Sequence, residues 1–408
     1  MKKNVAAVLG AITFMLTALA IRCDKEPTPS LWDPDKKGAA DPVITEIQPP
    51  NKALAGVTQI TIKGANFSSL AAENFVYFNA EQATILSASP TQLVVAPPNL
   101  VGDSIKIKIA VHGAELYSNV IFYSLDYSEK EYAGIDFNLD PNGIAMDKDE
   151  NLYVSLGLNK IIKVTAKEVK TDYCATPVGF FRALRMGPGG NLYGVRTRFL
   201  YQMAPGGGAP VQFGKNFTQA VTDLDFDSAG NLFVTARFTI YCVKSDATWK
   251  AAANYPSWAL NSVRVLDGYV YVAGDYLGTE AGVPKSAVWR NPILNPAGDL
   301  GANELAFDWA AYATNNQKML SITFSEDKEL YIGGDSGDAI TIVTPSSAGN
   351  YVRGATRALY PQVLKPPVTN MVWGTGPYLY YNRKSPDTAG QKIIRVTVDK
   401  KGAPDYGR

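Results

Sequence analysis

The stretch "DSAGNLFVTAR" (Asp227–Arg237) sets a polar, glycine-containing turn against the start of an apolar strand, and the chain repeats it. "DKDENLYVSLG" begins at Asp147 and "GPGGNLYGVRT" at Gly187, spaced by forty residues. The apolar residue before the first aromatic of "NLY" or "NLF" serves as a register mark. It falls at Leu152, Leu192, Leu232, Val270, Leu330 and Leu379. Seven or eight residues before each mark stands a second apolar strand, at Ile144, Leu184, Leu224, Val263, Ile322 and Met371. Each unit therefore opens with a hairpin. A third strand follows, such as "KIIKVTA" (Lys160–Ala166) or "AITIVTP" (Ala339–Pro345), and a fourth, such as "KTDYCAT" (Lys170–Thr176). Units of four short strands at this period are the signature of propeller blades rather than of helical solenoids. Six hairpins predict six blades.

Ring closure is also legible. After "KIIRVTV" (Lys392–Val398) the last unit lacks a fourth strand, and an unclaimed strand, "EYAGIDFNL" (Glu131–Leu139), precedes the first hairpin. That strand is expected to complete the sixth blade and leave no open sheet edge. The hairpins, most clearly "DPNGIAMDKDENLYVS" (Asp140–Ser155), resemble NHL-type repeats and the six-bladed propellers of the lactonase class. Such hairpins are structural, and the fold serves many functions.

Ahead of the repeats, "VTQITIKGANF", "NFVYFN", "TQLVVAPP" and "SIKIKIAVHG" follow one another at roughly a dozen residues, between Val57 and Gly113. Their period-two alternation predicts a small β-sandwich, with Ile105, Ile107 and Ile109 inward and Lys106 and Lys108 outward. The segment resembles the IPT/TIG family of immunoglobulin-like domains through "ITIKGANF", "VYFN", "ATILSASPTQLVVAPP" and "VHGAELYSNVIFYSL". The resemblance implies a spacer or interaction module. The expected class is thus all-β: an Ig-like sandwich over 42–125 and a six-bladed propeller over 126–408.

Lys2 and Lys3 precede an apolar run, Val5–Ile21, too short to span a membrane stably, so 1–22 reads as an export signal. "LAIRC" resembles a bacterial lipobox in which Cys23 carries the lipid, although Arg22 stands where a small residue is usual. The charged, Pro-rich segment 23–41 suits a tether leaving a membrane, so a lipoprotein of the outer membrane or cell surface is the favoured reading. "ALA" (Ala18–Ala20) leaves ordinary cleavage, and a periplasmic or secreted protein, as the alternative.

A net charge of +1, with no run of Lys and Arg, argues against nucleic acid as the partner. Cys174 and Cys242 fall in non-adjacent units and read as buried fillers. The chain's one histidine, His112, lies in the sandwich, so the propeller lacks the usual base of a nucleophilic triad. "DKDEN" (Asp147–Asn151) begins like a calcium loop, but it lacks the glycine and glutamate such a loop needs, and equivalent turns read "GPGG" and "DSAG". It is expected to be a capped turn.

The lactonase resemblance implies a divalent cation held in the central funnel. The residues entering each innermost strand are Asn142, Arg182, Asp223, Asn261, Ser321 and Asn370. One carboxylate beside an arginine suits a polar neutral ligand better than a hard cation. The fourth unit is overlong, and "DYLGTEAGVPKS" (Asp275–Ser286) is expected to overhang one face. Asp275, Tyr276 and Trp289 form a second candidate set there, with Trp309 also on an outer strand. The expected function is non-catalytic: no cofactor, a glycan or protein partner at the cell surface, and contact with the membrane only through the lipid. A metal-dependent hydrolase or lyase using the funnel is the alternative.

Overall fold

The alternation in "SIKIKIAV" folds as read. In the strand Gly102–Val111, Ile105, Ile107 and Ile109 are buried while Lys106 is exposed. The computed structural model describes residues 38–214, 216–313, 317–346, 350–352, 354–385 and 390–406. The export segment, Cys23 and the tether as far as residue 37 lie outside them. Two sheets form the sandwich. One runs Val43–Gln48, Ile60–Ala65, Gln92–Ala96, Thr84–Ser89; the other runs Lys52–Leu54, Ile121–Asp126, Gly102–Val111, Asn74–Phe78, Glu81–Gln82. Ile62, Phe78, Leu93 and Ile107 meet in its core. One pairing departs from the antiparallel expectation: the short strand Lys52–Leu54 lies parallel to Ile121–Asp126 on the sheet edge.

Six four-stranded sheets follow, and each has the predicted hairpin at its centre. Blade 1 is Pro141–Met146, Leu152–Leu156, Lys160–Val164 and Lys170–Ala175. The innermost strands of blades 2 to 6 are Ala183–Met186, Val221–Phe226, Trp258–Leu266, Met319–Phe324 and Asn370–Trp373. Ile144, Leu184, Leu224, Val263, Ile322 and Met371 are all fully buried, because each faces the neighbouring blade. Contacts between successive innermost strands run round the ring and return from blade 6 to blade 1.

The closing strand is Glu129–Asp136, antiparallel to Lys392–Thr397, with Glu129 opposite Val396 and Glu131 opposite Ile394. Tyr132 and Ile135 bury their side chains against Ile144, Val154 and Tyr380, so the strand also seals blade 6 to blade 1. The chain's end adds a further tie. Gly402 bridges to Ser325, and the Ala403 amide donates to the Phe324 carbonyl at 2.9 Å. Glu329 accepts both guanidinium nitrogens of Arg357 at 2.8 Å and Lys400 of the tail at 2.7 Å. Burial works against the Glu329 carboxylate, but these donors outweigh it and hold its pKa down to about 2. No helix among the described residues is long and apolar enough to cross a membrane.

Candidate functional site

The innermost strands do not pair residue for residue with their neighbours. In blades 1, 3, 4 and 5 the ladder slips where the strand enters the ring: between Pro141 and Ile144, Val221 and Asp223, Leu260 and Ser262, and Met319 and Ser321. Such a bulge leaves one residue unpaired and turns its side chain off the sheet plane. Counting two residues back from each buried apolar mark gives Asn142, Arg182, Thr222, Asn261, Leu320 and Thr369. All six line one cavity of about 270 Å³ at the mouth of the ring.

All six residues expected from the sequence border this cavity, but at two positions relative to the buried mark. Asn142, Arg182 and Asn261 belong to the outer ring. Asp223, Ser321 and Asn370 sit one residue further along, one before the buried mark instead of two, and their counterparts in the outer ring are Thr222, Leu320 and Thr369. Sequence reasoning also missed Arg264, Asn382 and Lys384. A fixed offset of two residues would have found the first three of these six. Asn382 and Lys384 leave no such signal, since they come from the second strand of blade 6 and just beyond it.

Two of the expected residues, Asp223 and Ser321, are committed to the protein. Asp223 Oδ2 accepts from Ser262 Oγ at 2.7 Å, the Val263 amide at 3.1 Å and Arg264 Nη1 at 2.7 Å, and Oδ1 accepts from the Leu224 amide at 2.9 Å. Burial raises the cost of this charge, yet Arg264, Arg185 and the hydrogen bonds outweigh it, so the carboxyl stays below the usual range. Ser321 Oγ donates to the Val368 carbonyl at 2.8 Å. One layer down, Arg185 Nε lies 3.5 Å from Asp225 Oδ1, both groups buried. Here burial outweighs the arginines, and the Asp225 carboxyl is pushed up to about 6. Pro404 and Asp405 of the tail border the channel below this layer, so the cavity is a funnel with a charged floor.

The sign of the Asp225 shift makes a prediction. Its folded pKa lies above its unfolded one, so the folded state holds the proton more tightly, and its contribution to stability falls as pH rises from about 4 to about 6. Urea denaturation of wild type and Asp225→Asn should show the variant gaining relative stability across that window and holding a constant difference above it. A difference independent of pH would contradict the shift.

The outer wall is different. Asn142 Nδ2 donates to the Asp140 carbonyl at 2.7 Å, and its Oδ1 accepts from Lys384. Asn261 Nδ2 donates to Asp275 Oδ2 and to the Met319 carbonyl, each at 3.0 Å. The carboxamide of Asn370 and the exposed guanidinium of Arg182 have no hydrogen-bond or ion-pair partner among the described residues. Asn382 is fully buried; its Nδ2 donates to the carbonyls of Pro141 (2.9 Å) and Asn142 (2.8 Å), but its Oδ1 has no partner among the described residues. An unmet buried acceptor costs about 1–3 kcal/mol.

The second candidate set is divided. Asp275 supports the funnel by holding Asn261, and its Oδ1 accepts from Ser286 Oγ at 2.8 Å. Tyr276 and Trp289 pack on Trp258 at 5.5 and 5.3 Å between ring centroids. Trp289 Nε1 is buried without a partner. Trp309, expected on an outer strand, instead opens the one-turn helix Trp309–Tyr312 and is buried. The loop 277–285 lies on the funnel face, since its flanking residue Tyr276 pairs with Trp258 where the innermost strand enters.

The acidic turn behaves as a cap. Asp147 Oδ1 accepts from the Asp149 and Asn151 amides at 2.9 Å, and Asp227 treats Ala229 and Asn231 in the same way at 3.0 and 2.8 Å. Glu150 reaches across to the Thr375 amide of blade 6 at 2.6 Å. Cys174 and Cys242 are free and buried, and His112 is exposed. A divalent cation does not fit the funnel. Its lining holds one carboxylate, Asp223, whose two oxygens are taken by protein donors with a guanidinium at 2.7 Å. No group of three or more His, Cys, Asp or Glu among the described residues is placed to hold a metal ion.

Residues 42–127 match the IPT/TIG domain family. No curated protein matches the chain in sequence. Among solved structures, an auxiliary nutrient binding protein from Bacteroides thetaiotaomicron is similar at 12% identity and TM-score 0.52, covering 90% of this chain and 98% of that one. One from Bacteroides ovatus is similar at 11% identity and TM-score 0.50, covering 90% and 99%. A gluconolactonase from Xanthomonas campestris aligns at 10% identity and TM-score 0.49, over 73% of this chain and 90% of that one. At these identities the likeness is one of fold.

Proposed function

We propose that the protein is an exported, lipid-anchored binding protein of the cell envelope whose propeller funnel captures a polar ligand, a glycan in the first instance. In this reading 1–22 is the export signal, Cys23 the lipid attachment point and 23–41 the tether. The sandwich, 42–125, then acts as a spacer that carries the propeller, 126–408, away from the membrane. The observation that carries the reading is the Asn382 Oδ1 acceptor, buried in the funnel wall with no partner among the described residues. Around it, Asn142, Asn261, Asn370 and Thr369 offer hydroxyl-matching donors and acceptors, while the charged groups below are satisfied internally. A wall that recognises hydroxyls and a floor already neutralised suit binding without chemistry. The fold shared with two Bacteroides auxiliary nutrient binding proteins agrees with this role.

A glycan array probed with residues 38–408 and with Asn370→Trp tests it. Asn370 is half-buried with an unpaired carboxamide, so an indole there fills the funnel without breaking a structural bond. The expected result is retained thermal stability and loss of the wild-type binding signal, about 10-fold or more. An unchanged binding profile on a filled funnel would move the site elsewhere.

A further inference from the structure

The funnel's lining carries three cations, Arg182, Arg264 and Lys384, against one carboxylate, Asp223. Arg264 and Asp223 neutralise each other at 2.7 Å on the floor, which leaves the excess positive charge at the rim. Of the acids flanking that rim, Asp275 accepts from Asn261 and Ser286. Asp140 is held by Gln391 at 2.7 Å and Lys384 at 3.2 Å. Lys384 donates to Asp140 and Asn142, and an ammonium has three donors, so one remains for a ligand. Nothing among the described residues engages the Arg182 fork. The two cations come from blades 2 and 6 and flank Asn142 of blade 1. Lys384 Nζ also lies 5.2 Å from the ring centroid of Phe180, whose side chain is 40% exposed at the same rim.

We propose that the funnel selects an acidic sugar: a single terminal ring whose carboxylate or sulfate is taken by Arg182 and Lys384. Its hydroxyls are then read by Asn370 and Asn382 Oδ1. A guanidinium fork matches an oxyanion with two parallel hydrogen bonds, and such charge-assisted bonds are the strong ones. Phe180 offers an apolar face beside the cations, as the C–H face of a sugar ring requires. The size of the cavity limits the ligand. At about 270 Å³ it falls below the roughly 300–1,000 Å³ of pockets that enclose drug-sized molecules, so it admits one ring at a chain end and not the interior of a polysaccharide.

This inference rests on the funnel being a binding site, and the test separates the two. Titration calorimetry on residues 38–408 uses the methyl glycosides of glucose, galactose and mannose, their uronate counterparts, their 6-sulfates, and inorganic sulfate. At least one acidic sugar is expected to bind about 10- to 100-fold more tightly than its neutral parent, and the preference should shrink as salt rises. Arg182→Gln should erase the preference while leaving the melting temperature unchanged, since that side chain is exposed and bonds to none of the described residues. Binding by a uronate identifies the carboxylate, and binding by a 6-sulfate identifies the sulfate. Neutral sugars that bind as tightly as acidic ones, with Arg182→Gln inert, overturn the acidic preference and leave the funnel site standing. Inorganic sulfate binding as tightly as any sugar overturns the sugar. Binding by none of them overturns both.

Discussion

Asp223→Ala is expected to lose about 3–5 kcal/mol of folding stability, read by urea denaturation at neutral pH. The carboxylate was expected from the sequence as the one acidic member of the funnel's ligand set, but its bonds are structural. It neutralises buried Arg264 and accepts from Ser262 and the Val263 amide of blade 4, so it joins blade 3 to blade 4 beneath the cavity. Removing it leaves a guanidinium whose side chain is 8% exposed bonded only to backbone carbonyls, with the Asp225 carboxyl acting on it from beyond ion-pair distance. The cost comes mainly from the orphaned charge. The double variant Asp223→Leu/Arg264→Met should therefore recover most of the loss. A loss below about 1 kcal/mol for Asp223→Ala would mean that water reaches Arg264 and that the floor is open.

The second large effect belongs to ring closure. Tyr132→Ala should cost about 3–5 kcal/mol, the usual range for deleting a buried aromatic ring. Tyr132 is fully buried on the closing strand, meets Tyr380 edge-on at 4.9 Å, and its hydroxyl donates to the Thr165 carbonyl at 3.0 Å. Three elements therefore depend on one side chain: the closing strand, blade 6 and blade 1. Tyr132→Phe keeps the ring contact and should lose only about 1 kcal/mol. If the closing strand frays, the edge Lys392–Thr397 exposes unpaired backbone groups, so Tyr132→Ala should also show concentration-dependent association by light scattering. A variant as stable and monodisperse as wild type would show that the ring is held shut without this strand.

The repeat was legible because blade geometry imposes a period on apolar residues, and burial enforces it at every mark from Ile144 to Met371. The closing strand was legible by subtraction: one strand too few at the end, one too many at the start. Its edges shifted by a few residues, Glu129–Asp136 against the expected 131–139, since pairing with Lys392–Thr397 rather than propensity sets them. The funnel was legible to within one residue. The polar residue nearest each mark drew the eye, so Thr222, Leu320 and Thr369 were passed over for Asp223, Ser321 and Asn370 beside them. Arg185 and Arg264 were not singled out, since an arginine one residue after a buried apolar mark carries no signal of its own; in the ring both face the channel. Trp289 and Tyr276 were placed on the right blade, but the rings answer to packing on Trp258.

The funnel as the binding site is tested most directly by a crystal structure of residues 38–408 soaked with the strongest ligand from the array. Density for a single ring inside the cavity is expected, with a ligand hydroxyl within hydrogen-bond reach of Asn382 Oδ1, roughly 2.5–3.0 Å. Ordered ligand against the loop 277–285 or the sandwich, with the cavity holding only water, would contradict it.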